Sequence, residues 1–395
     1  MLNEILSSNW LPVADAEALE QSCPEELFFL KEDFIRKYYA IARLPEEQLD
    51  MVIRKAAEFD SKKETRLICW YMYNKFTKVH IREYSPFHEF IFQLGYDTGI
   101  ANLLVGLSLI PEYEARAERE NFPMRYAHDA ASRFGTFPVF FAQAFDGRFG
   151  IRSRSLHFML HFKDNPMYRI GRFDFILEKA DVLLPHVYTR NGEVVLFCGN
   201  NWRLDKTGER IDPAAKPDPD EVLATFSDDG KEVRGFLIDA ASAFAQREET
   251  VIPRSELVHV ASPGDWVLHI HIPGGGKMTP EACRSSFSEA LEFFAQKYPD
   301  KPVKLIFTSS WIGNNAWLDY MPNSNIAALI RTSALFPRPH NNKSGLYFVF
   351  GREDDDYADY PRTNSLERAV LDCIADGRPL RNPGMIFLPL PGADK

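Results

Sequence analysis

The 395-residue sequence predicts an α+β protein in which an N-terminal helical domain is followed by a mixed, mostly antiparallel sheet flanked by helices. Apolar residues recur at helical spacing from Pro24 to about Arg133. After Asp146 the pattern changes to short aromatic and β-branched runs bounded by turn residues. Because a chain of this length usually forms more than one core, we expect a helical domain, a sheet domain and a C-terminal helix-and-strand extension packed on it, at 1–148, 149–352 and 353–395.

The helical part is predicted from its periodicity. Five apolar residues follow a Pro-Glu-Glu start at three- and four-residue spacing, namely Leu27, Leu30, Phe34, Tyr38 and Ile41. The same period returns at 49–56, and an aromatic segment covers 67–76. With further helices predicted at 86–94 and 121–134, we expect about five helices in this domain.

Short strands are predicted beyond Asp146. They lie at 155–162, 169–177, 182–188, 194–198 and 235–239. Asn191-Gly192 suits the turn of a hairpin, whereas the polar, Pro- and Asp-rich stretch 201–230 predicts an exposed excursion. Further along, the sequence predicts a strand at 346–350 and a capped amphipathic helix at 365–375, and 327–334 fits either a helix or a strand.

Residues 266–308 form a strand–loop–helix–strand pattern. Trp266 to Ile272 is a predicted strand, and a glycine loop follows it. Thr279 and Pro280 suit the N-cap and first position of a helix that extends to Tyr298. A second strand is predicted at 303–308, so the whole segment has the size of a crossover that joins two parallel strands.

Composition excludes several classes of function. The net charge of −10 argues against nucleic acid as a general partner. The five cysteines are scattered without CxxC spacing, which argues against disulfides and zinc ribbons. The sequence has neither a signal-peptide pattern nor a run of about 18 apolar residues. We therefore expect a cytoplasmic protein that does not act on membranes.

The glycine loop is the best candidate for a binding site. Gly274, Gly275 and Gly276 lie between a strand and a helix N-terminus, where backbone N–H groups and the helix dipole favour a phosphate group. The loop is not a nucleotide-binding P-loop, because Met278 stands where that motif has Ser or Thr. A flexible turn without a ligand is the alternative.

Several polar residues surround this loop in the sequence. His269 and His271 are two residues apart and so lie on one face of their strand. Each is either a hydrogen-bonded strand residue or, for His271 above all, a general base near neutral pH. A metal site would need a third ligand, which the sequence does not supply, and Asp354–Asp356 is expected to be a solvated loop. The candidates for a substrate pocket are His269 and three residues that follow the next parallel strand, namely Ser310, Trp311 and Asn314. The alternative is a core residue for Trp311 and a turn residue for Asn314.

The run from His271 to Glu281, with Ser310-Trp311 and 348–351, resembles bacterial proteins that have an N-acyltransferase N-terminal domain and a GNAT-like C-terminal domain. The resemblance covers the chain from about residue 25, and it is specific between 265 and 351. It implies an acyltransferase fold in which the loop after the fourth strand binds the pyrophosphate of coenzyme A. The corresponding residues here are Ile272, Gly274, Gly275, Gly276 and Lys277.

If the site is active, the resemblance implies transfer of an acyl group from acetyl-CoA or another acyl-CoA to the amine of a small molecule or peptide. His271 would accept the amine proton, Tyr320 would reprotonate the thiolate, and no metal would take part. The loop departs from the usual pattern, because Pro273 and three glycines replace a leading Gln or Arg. The alternative is a non-catalytic ligand-binding or scaffold protein on a degenerate GNAT fold, and a homodimer is compatible with either function.

Overall fold

The computed structural model describes residues 13–81, 94–339 and 344–388 and divides the chain into two compact units. The helical unit comprises Met1–Arg169 together with Pro273–Gly275. The sheet unit comprises Ile170–Ile272 and Gly276–Lys395. The predicted boundaries at 148 and 352 stay predictions, whereas the predicted fold class is confirmed.

The helical unit begins with helices of ordinary length. Its described α-helices are α1 (Val13–Gln21), α2 (Glu32–Ile41), α3 (Leu49–Ser61), α4 (Lys63–Lys78), α5 (Thr98–Leu107), α6 (Ile110–Arg119), α7 (Met124–Ala131) and α8 (Phe137–Ala144). Short 3-10 helices lie at Phe28–Leu30, Glu46–Gln48, Gly95–Asp97, Ser132–Thr136 and Ser153–Phe162. The described residues therefore contain more helices than the five expected, and all but the last residue of the helix predicted at 86–94 lies outside them.

Helix α5 is the centre of this unit. All ten of its residues are buried, which explains why the segment is apolar on every side rather than along one stripe. No helix in the described part of the chain is both long and apolar enough to cross a membrane.

The strand predicted at 155–162 is wrong, because Ser153–Phe162 forms a 3-10 helix. Its buried positions include Leu156, Met159 and Leu160, and their spacing of three and four residues matches a helical face rather than strand alternation.

The sheet unit contains most of the strands. They are β1 (Met167–Ile170), β2 (Phe173–Lys179), β3 (His186–Arg190), β4 (Glu193–Phe197), β5 (Arg203–Leu204), β6 (Val222–Leu223), β7 (Phe226–Asp228), β8 (Glu232–Asp239), β9 (Phe244–Pro253), β10 (Val258–Ala261), β11 (Trp266–His271), β12 (Ile306–Ser309), β13 (Ala334–Phe336) and β14 (Gly384–Phe387), and β1 spans the boundary between the units. The helices are α9 (Pro280–Lys297), α10 (Trp317–Tyr320), α11 (Asn325–Arg331), α12 (Ser344–Phe350) and α13 (Ser365–Ala375), with 3-10 helices at Arg254–Glu256 and Trp311–Gly313.

The first sheet has the strand order β1-β2-β11-β12-β14-β13. Strands β11 and β12 are parallel, and helix α9 connects them. The pairs β2–β11, β12–β14 and β13–β14 are antiparallel. The predicted crossover is therefore confirmed, and the C-terminal strand β14 lies inside the sheet rather than at its edge.

The second sheet is antiparallel, with the order β10-β3-β4-β8-β7 and β9 paired to β8. The predicted hairpin is confirmed, since Asn191 (φ 53°) and Gly192 (φ 86°) form the turn between β3 and β4. The two sheets share one core, in which Val187 and Trp202 belong to the same buried cluster as Val267 and Phe336.

Two further predictions of secondary structure change in this unit. The strand predicted at 346–350 is wrong, because Ser344–Phe350 is helix α12. Leu346 and Phe350 are buried, but Phe348 is 47% exposed, which fits a helical face and not an alternating strand. The strand predicted at 169–177 is two strands, since Gly171 (φ 57°) turns the chain between β1 and β2.

Candidate functional site

The parallel ladder between β11 and β12 is short and ends before the carboxyl ends of the two strands. Its register joins Leu268 to Ile306 and His269 to Phe307. Strand β11 then continues to His271 and β12 to Ser309, and β14 pairs with β12 along its whole length on the other side. The described parallel ladder therefore ends two residues before either strand does, and the glycine loop follows β11 at that end.

His269 and His271 lie together on one face of β11, as predicted from their spacing. Their ring centroids are 4.5 Å apart, and the His269 ring stacks on Phe307 at 4.6 Å. Nδ1 of His269 is 3.1 Å from the Glu178 carboxylate. The register of β2 places Asp174 directly opposite His271, and opposite residues of an antiparallel pair share one face. We call Asp174, Glu178, His269 and His271 the histidine face.

The two carboxylates of the histidine face were not predicted. Asp174 is fully buried within β2, where an acidic side chain is costly unless it has partners. Asp174 and Glu178 are four residues apart on a strand and so point to the same side. The available signal was therefore the pair of acids inside an apolar strand, but the sequence could not indicate that β2 pairs with β11.

The glycine loop follows β11 directly. Gly275 has φ 96°, in the left-handed region that favours glycine, and the space next to its Cα is open. Pro273–Gly275 group with the helical unit, in which a Cβ at Gly274 would lie 3.3 Å from Thr136. Gly276 and Lys277 are exposed, and Ile272 is half-buried.

Helix α9 begins immediately after the loop. The predicted N-cap is confirmed, because the Thr279 hydroxyl accepts a hydrogen bond from the Ala282 N–H at 3.3 Å and Pro280 is the first helical residue. The exposed carboxylate of Glu281 lies in the first turn. Hydrogen bonds from its own backbone N–H and from Thr279 hold the pKa of that carboxyl below its usual range. A bound phosphate would therefore share this helix end with a negative side chain.

Arg172 is a further residue that the sequence did not identify as part of the site. A Cβ on Gly276 would lie 3.7 Å from Cδ and 3.8 Å from Nε of Arg172, so the arginine side chain runs along the loop. It extends from the β1–β2 turn, about 100 residues earlier in the chain. A cation beside exposed backbone N–H groups reinforces an anion site.

The position of Arg172 is fixed by helix α9. Ser286 is buried on that helix, and its hydroxyl donates to the Ile170 carbonyl and accepts from the Arg172 N–H at 3.2 Å. A Cβ on Gly171 would lie 3.0 Å from the Ser286 Cβ. The turn that carries Arg172 is thus held against the helix by two hydrogen bonds and a close contact.

The predicted substrate-pocket residues follow β12. The Ser310 hydroxyl accepts from the Ile312 N–H at 3.3 Å, and the Trp311 carbonyl accepts from Nε1 of Trp317 at 2.9 Å. Asn314 is fully buried and bonded to the backbone of Ala316 and Pro379. Since β11 and β12 are parallel, Ser310 follows its strand at the same sheet edge as His271, while Asn314 has contacts that stabilise the chain after β12.

Tyr320 ends helix α10. Its hydroxyl donates to the Asp376 carboxylate at 2.6 Å, and this hydrogen bond raises the pKa of Tyr320. Arg378 lies over its ring, 5.5 Å from the centroid. The phenol therefore keeps its proton in a hydrogen bond within the sheet unit.

Two other features bear on ligand binding. Within the described ranges, no group of three or more His, Cys, Asp or Glu side chains is arranged to hold a metal ion.

An open groove of about 750 Å³ lies elsewhere in the sheet unit, lined by Val194, Leu318, Ile330 and Leu388 among others. None of the predicted site residues lines it.

Comparisons with known proteins agree with this architecture. The sequence profile of the GNAT-like C-terminal domain matches residues 167–386. No curated protein sequence matches the chain significantly. Among solved structures, an acyltransferase variant in complex with octanoyl-CoA matches with a TM-score of 0.62 and 16% identity over 99% of each chain. An acyltransferase in complex with decanoyl-CoA and teicoplanin matches with the same score and identity over 98% of this chain and 99% of that one. At this identity the likeness concerns the fold.

Proposed function

Since the chain belongs to the family of proteins with a GNAT-like C-terminal domain, we propose that it transfers an acyl group from acyl-CoA to the amine of a small molecule or peptide. One observation carries this proposal: the parallel ladder of β11 and β12 ends directly before the glycine loop and the N-terminus of α9. An acyl-CoA needs room for its acyl group next to an anion site for the pyrophosphate, and this end of the two strands would supply both.

The coenzyme A pyrophosphate would bind the loop. The backbone N–H groups of Gly274, Gly275, Gly276 and Lys277 would donate to its oxygens, since the first N–H groups of a helix and its dipole favour phosphate. Arg172 would add the positive charge that the loop itself lacks, because the usual leading Gln or Arg is replaced by Pro273.

The histidine face would supply the proton transfer. The acceptor amine attacks the thioester carbonyl carbon, and His271 accepts the amine proton directly or through a water molecule. Asp174, opposite His271 in the sheet, would hold the ring in position and stabilise the imidazolium that forms. Backbone N–H groups at the end of β11 would stabilise the oxyanion. The carbon–sulfur bond then breaks, and an amide and the thiolate of coenzyme A result.

The thiolate must regain a proton. Tyr320 stays the candidate for this step, and it would have to exchange its hydrogen bond to Asp376 for one to sulfur. A Tyr320→Phe variant that loses only the rate of the chemical step, with unchanged affinity for acyl-CoA, would support this role.

The solved acyltransferases of this fold bind octanoyl-CoA, decanoyl-CoA and teicoplanin. We therefore extend the proposed co-substrate from acetyl-CoA to medium-chain acyl-CoA, and the proposed acceptor to amine-bearing glycopeptides. A non-catalytic binding protein on the same fold would bind acyl-CoA without turning it over.

Thermal unfolding with CoA, acetyl-CoA, octanoyl-CoA and decanoyl-CoA tests the binding step. A ligand at 100 times its dissociation constant stabilises a protein by about 2.7 kcal/mol, so the melting temperature should rise in the wild type. It should not rise in Gly275→Asp, which places a carboxylate in the anion site. If the ligand raised the melting temperature of both proteins equally, or of neither, the proposed binding site would be contradicted.

Turnover is measured by release of the CoA thiol with a panel of primary amines and glycopeptides. His271→Ala should lower kcat about 10²- to 10⁴-fold, as expected for a lost general base. His259→Ala, an exposed histidine in β10, is the matched control and should keep full activity. Unchanged turnover in His271→Ala would remove the proposed base, and acyl-CoA binding without any turnover would favour the non-catalytic alternative.

A further inference from the structure

The sheet unit contains a second basic site that the acyl-transfer proposal does not use. A pocket of about 20 Å³ lies where β13 ends and β14 begins. Three arginines line it together with one carboxylate, one amide and several apolar side chains, Phe244 and Pro383 among them. The polar members are Arg210, Arg338, Arg381, Glu209 and Asn382. We call Arg210, Arg338 and Arg381 the arginine pocket.

Arg210 is the unusual member. Arg210 is only 6% exposed, and its Nη1 atom is buried without a hydrogen-bond partner in the described part of the chain. The guanidinium lies over the ring of Trp202, 3.9 Å from the centroid. A stacked ring covers one face of the cation but does not satisfy its N–H groups, which point outward in the guanidinium plane.

The charges in the pocket are only partly compensated. Arg381 has an ion pair with Glu209. Across residues 13–81, 94–339 and 344–388, neither Arg210 nor Arg338 lies within ion-pair distance of a carboxylate. Burial and the charge of Arg338 lower the pKa of Arg210 to about 10, and burial also lowers the pKa of Arg338. The charge of Asp181 acts in the opposite direction on both arginines, but it is the weaker effect. Two desolvated cations that repel each other are costly in a folded protein unless an anion joins them.

We propose that the arginine pocket binds one carboxylate or phosphate group of a small molecule. A planar or tetrahedral oxyanion supplies the acceptor atoms that the N–H groups of Arg210 require, and guanidinium groups bind both shapes in a bidentate manner. The small volume excludes a whole cofactor, so only one terminal group of a ligand would enter the pocket. This site is separate in sequence and lining from the glycine loop, so it holds whether or not the chain transfers acyl groups.

The strand order of the first sheet places the pocket relative to the end of β11. Gly384, next to Pro383, pairs with both Ser309 of β12 and Phe336 of β13. The pocket therefore lies at the sheet edge where β11 and β12 also end. Three strand intervals separate β11 from β13, which is roughly 14 Å at the usual strand spacing.

Saturation binding of inorganic phosphate and of acetate to the full-length protein tests the proposal, at constant ionic strength set with chloride. Calorimetry and thermal unfolding should show a saturable site for at least one of the two anions, in addition to any phosphate that binds the glycine loop. Arg210→Met and Arg338→Met should each weaken it tenfold or more. Arg234→Met, which removes an exposed arginine of β8 paired with Glu232, is the matched control and should bind as the wild type does.

Saturable binding of phosphate alone would assign a phosphorylated ligand, and binding of acetate alone a carboxylate. If neither anion binds the wild type, or if all four proteins bind equally, the proposal is refuted. Should Arg210→Met fail to fold, the half-buried Arg338 provides the decisive variant. Because no acyl-CoA is present, failure here is distinct from failure of the acyl-transfer proposal.

Discussion

Gly171→Ala tests how the β1–β2 turn positions Arg172. Gly171 has φ 57°, and an added Cβ would lie 3.0 Å from the Ser286 Cβ on helix α9. Two separate costs follow. The left-handed backbone costs a residue with a side chain about 1–2 kcal/mol, and overpacking a well-filled site costs about 1–3 kcal/mol. The lower entropy of the unfolded chain returns about 0.4–1 kcal/mol. We therefore expect a loss of about 2–4 kcal/mol in the free energy of unfolding.

Gly192→Ala is the matched control. Gly192 also has a positive φ, 86°, but no atom lies within 4 Å of its added Cβ. This variant has the backbone cost without the contact with Ser286, so it should lose only about 1 kcal/mol. For a unit of this size, 1 kcal/mol shifts the melting temperature by about 2–4 °C. The two variants should therefore differ clearly in a thermal scan.

The affinity for CoA distinguishes the role of Arg172 in binding from the effect of the substitution on packing. Displacement of Arg172 from Gly276 should raise the dissociation constant of CoA about tenfold in Gly171→Ala, the equivalent of about 1.4 kcal/mol. Gly192→Ala should bind CoA like the wild type. Equal melting temperatures in the two variants would refute the close contact with Ser286. Unchanged CoA affinity in Gly171→Ala, despite lower stability, would refute the role given to Arg172.

Three further predictions concern other parts of the sheet unit. Gly275→Ala should weaken CoA binding about three- to tenfold, because φ 96° disfavours any side chain, whereas Gly276→Ala should leave it unchanged in the same titration. Burial and the charge of a neighbouring histidine lower the pKa of His186 from 6.5 to about 4. As the pH falls, His186 is therefore protonated in the unfolded chain before it is protonated in the folded protein. Stability should therefore fall by about 1–3 kcal/mol as the pH drops from 6.5 to 4, and urea midpoints of His186→Phe should show less of this decline. Asn364 is the N-cap of α13, and its side chain accepts a hydrogen bond from the Glu367 N–H at 2.9 Å. Asn364→Ala should therefore lower the free energy of unfolding by about 1 kcal/mol, measured by thermal unfolding. A loss below 0.3 kcal/mol would show that Glu367 alone holds that helix end.

Local patterns predicted the elements whose signals lie within a few residues. Thr279 and Pro280 marked the start of α9, and Asn191-Gly192 marked a hairpin turn, because caps and turns depend on adjacent backbone groups. Segments that lacked such signals were harder to predict. A short apolar run such as 346–350 fits the helical period and the strand period equally well. Tertiary packing decides which side is exposed, and here it leaves Phe348 exposed.

The sequence by itself determined the crossover unit around the glycine loop, the pairing of His269 and His271 on one face, and the likeness to GNAT-like domains. The roles given to His271, Tyr320 and the loop residues stay predictions. Only the tertiary structure decided which distant residues complete the site. Asp174 lies opposite His271, and Arg172 lies beside Gly276, because β2 pairs with a strand about 90 residues later. Such pairing depends on the burial of whole sheet faces, which no local pattern encodes. The arginine pocket depends on the tertiary structure for the same reason, since its members come from three separate segments of the chain.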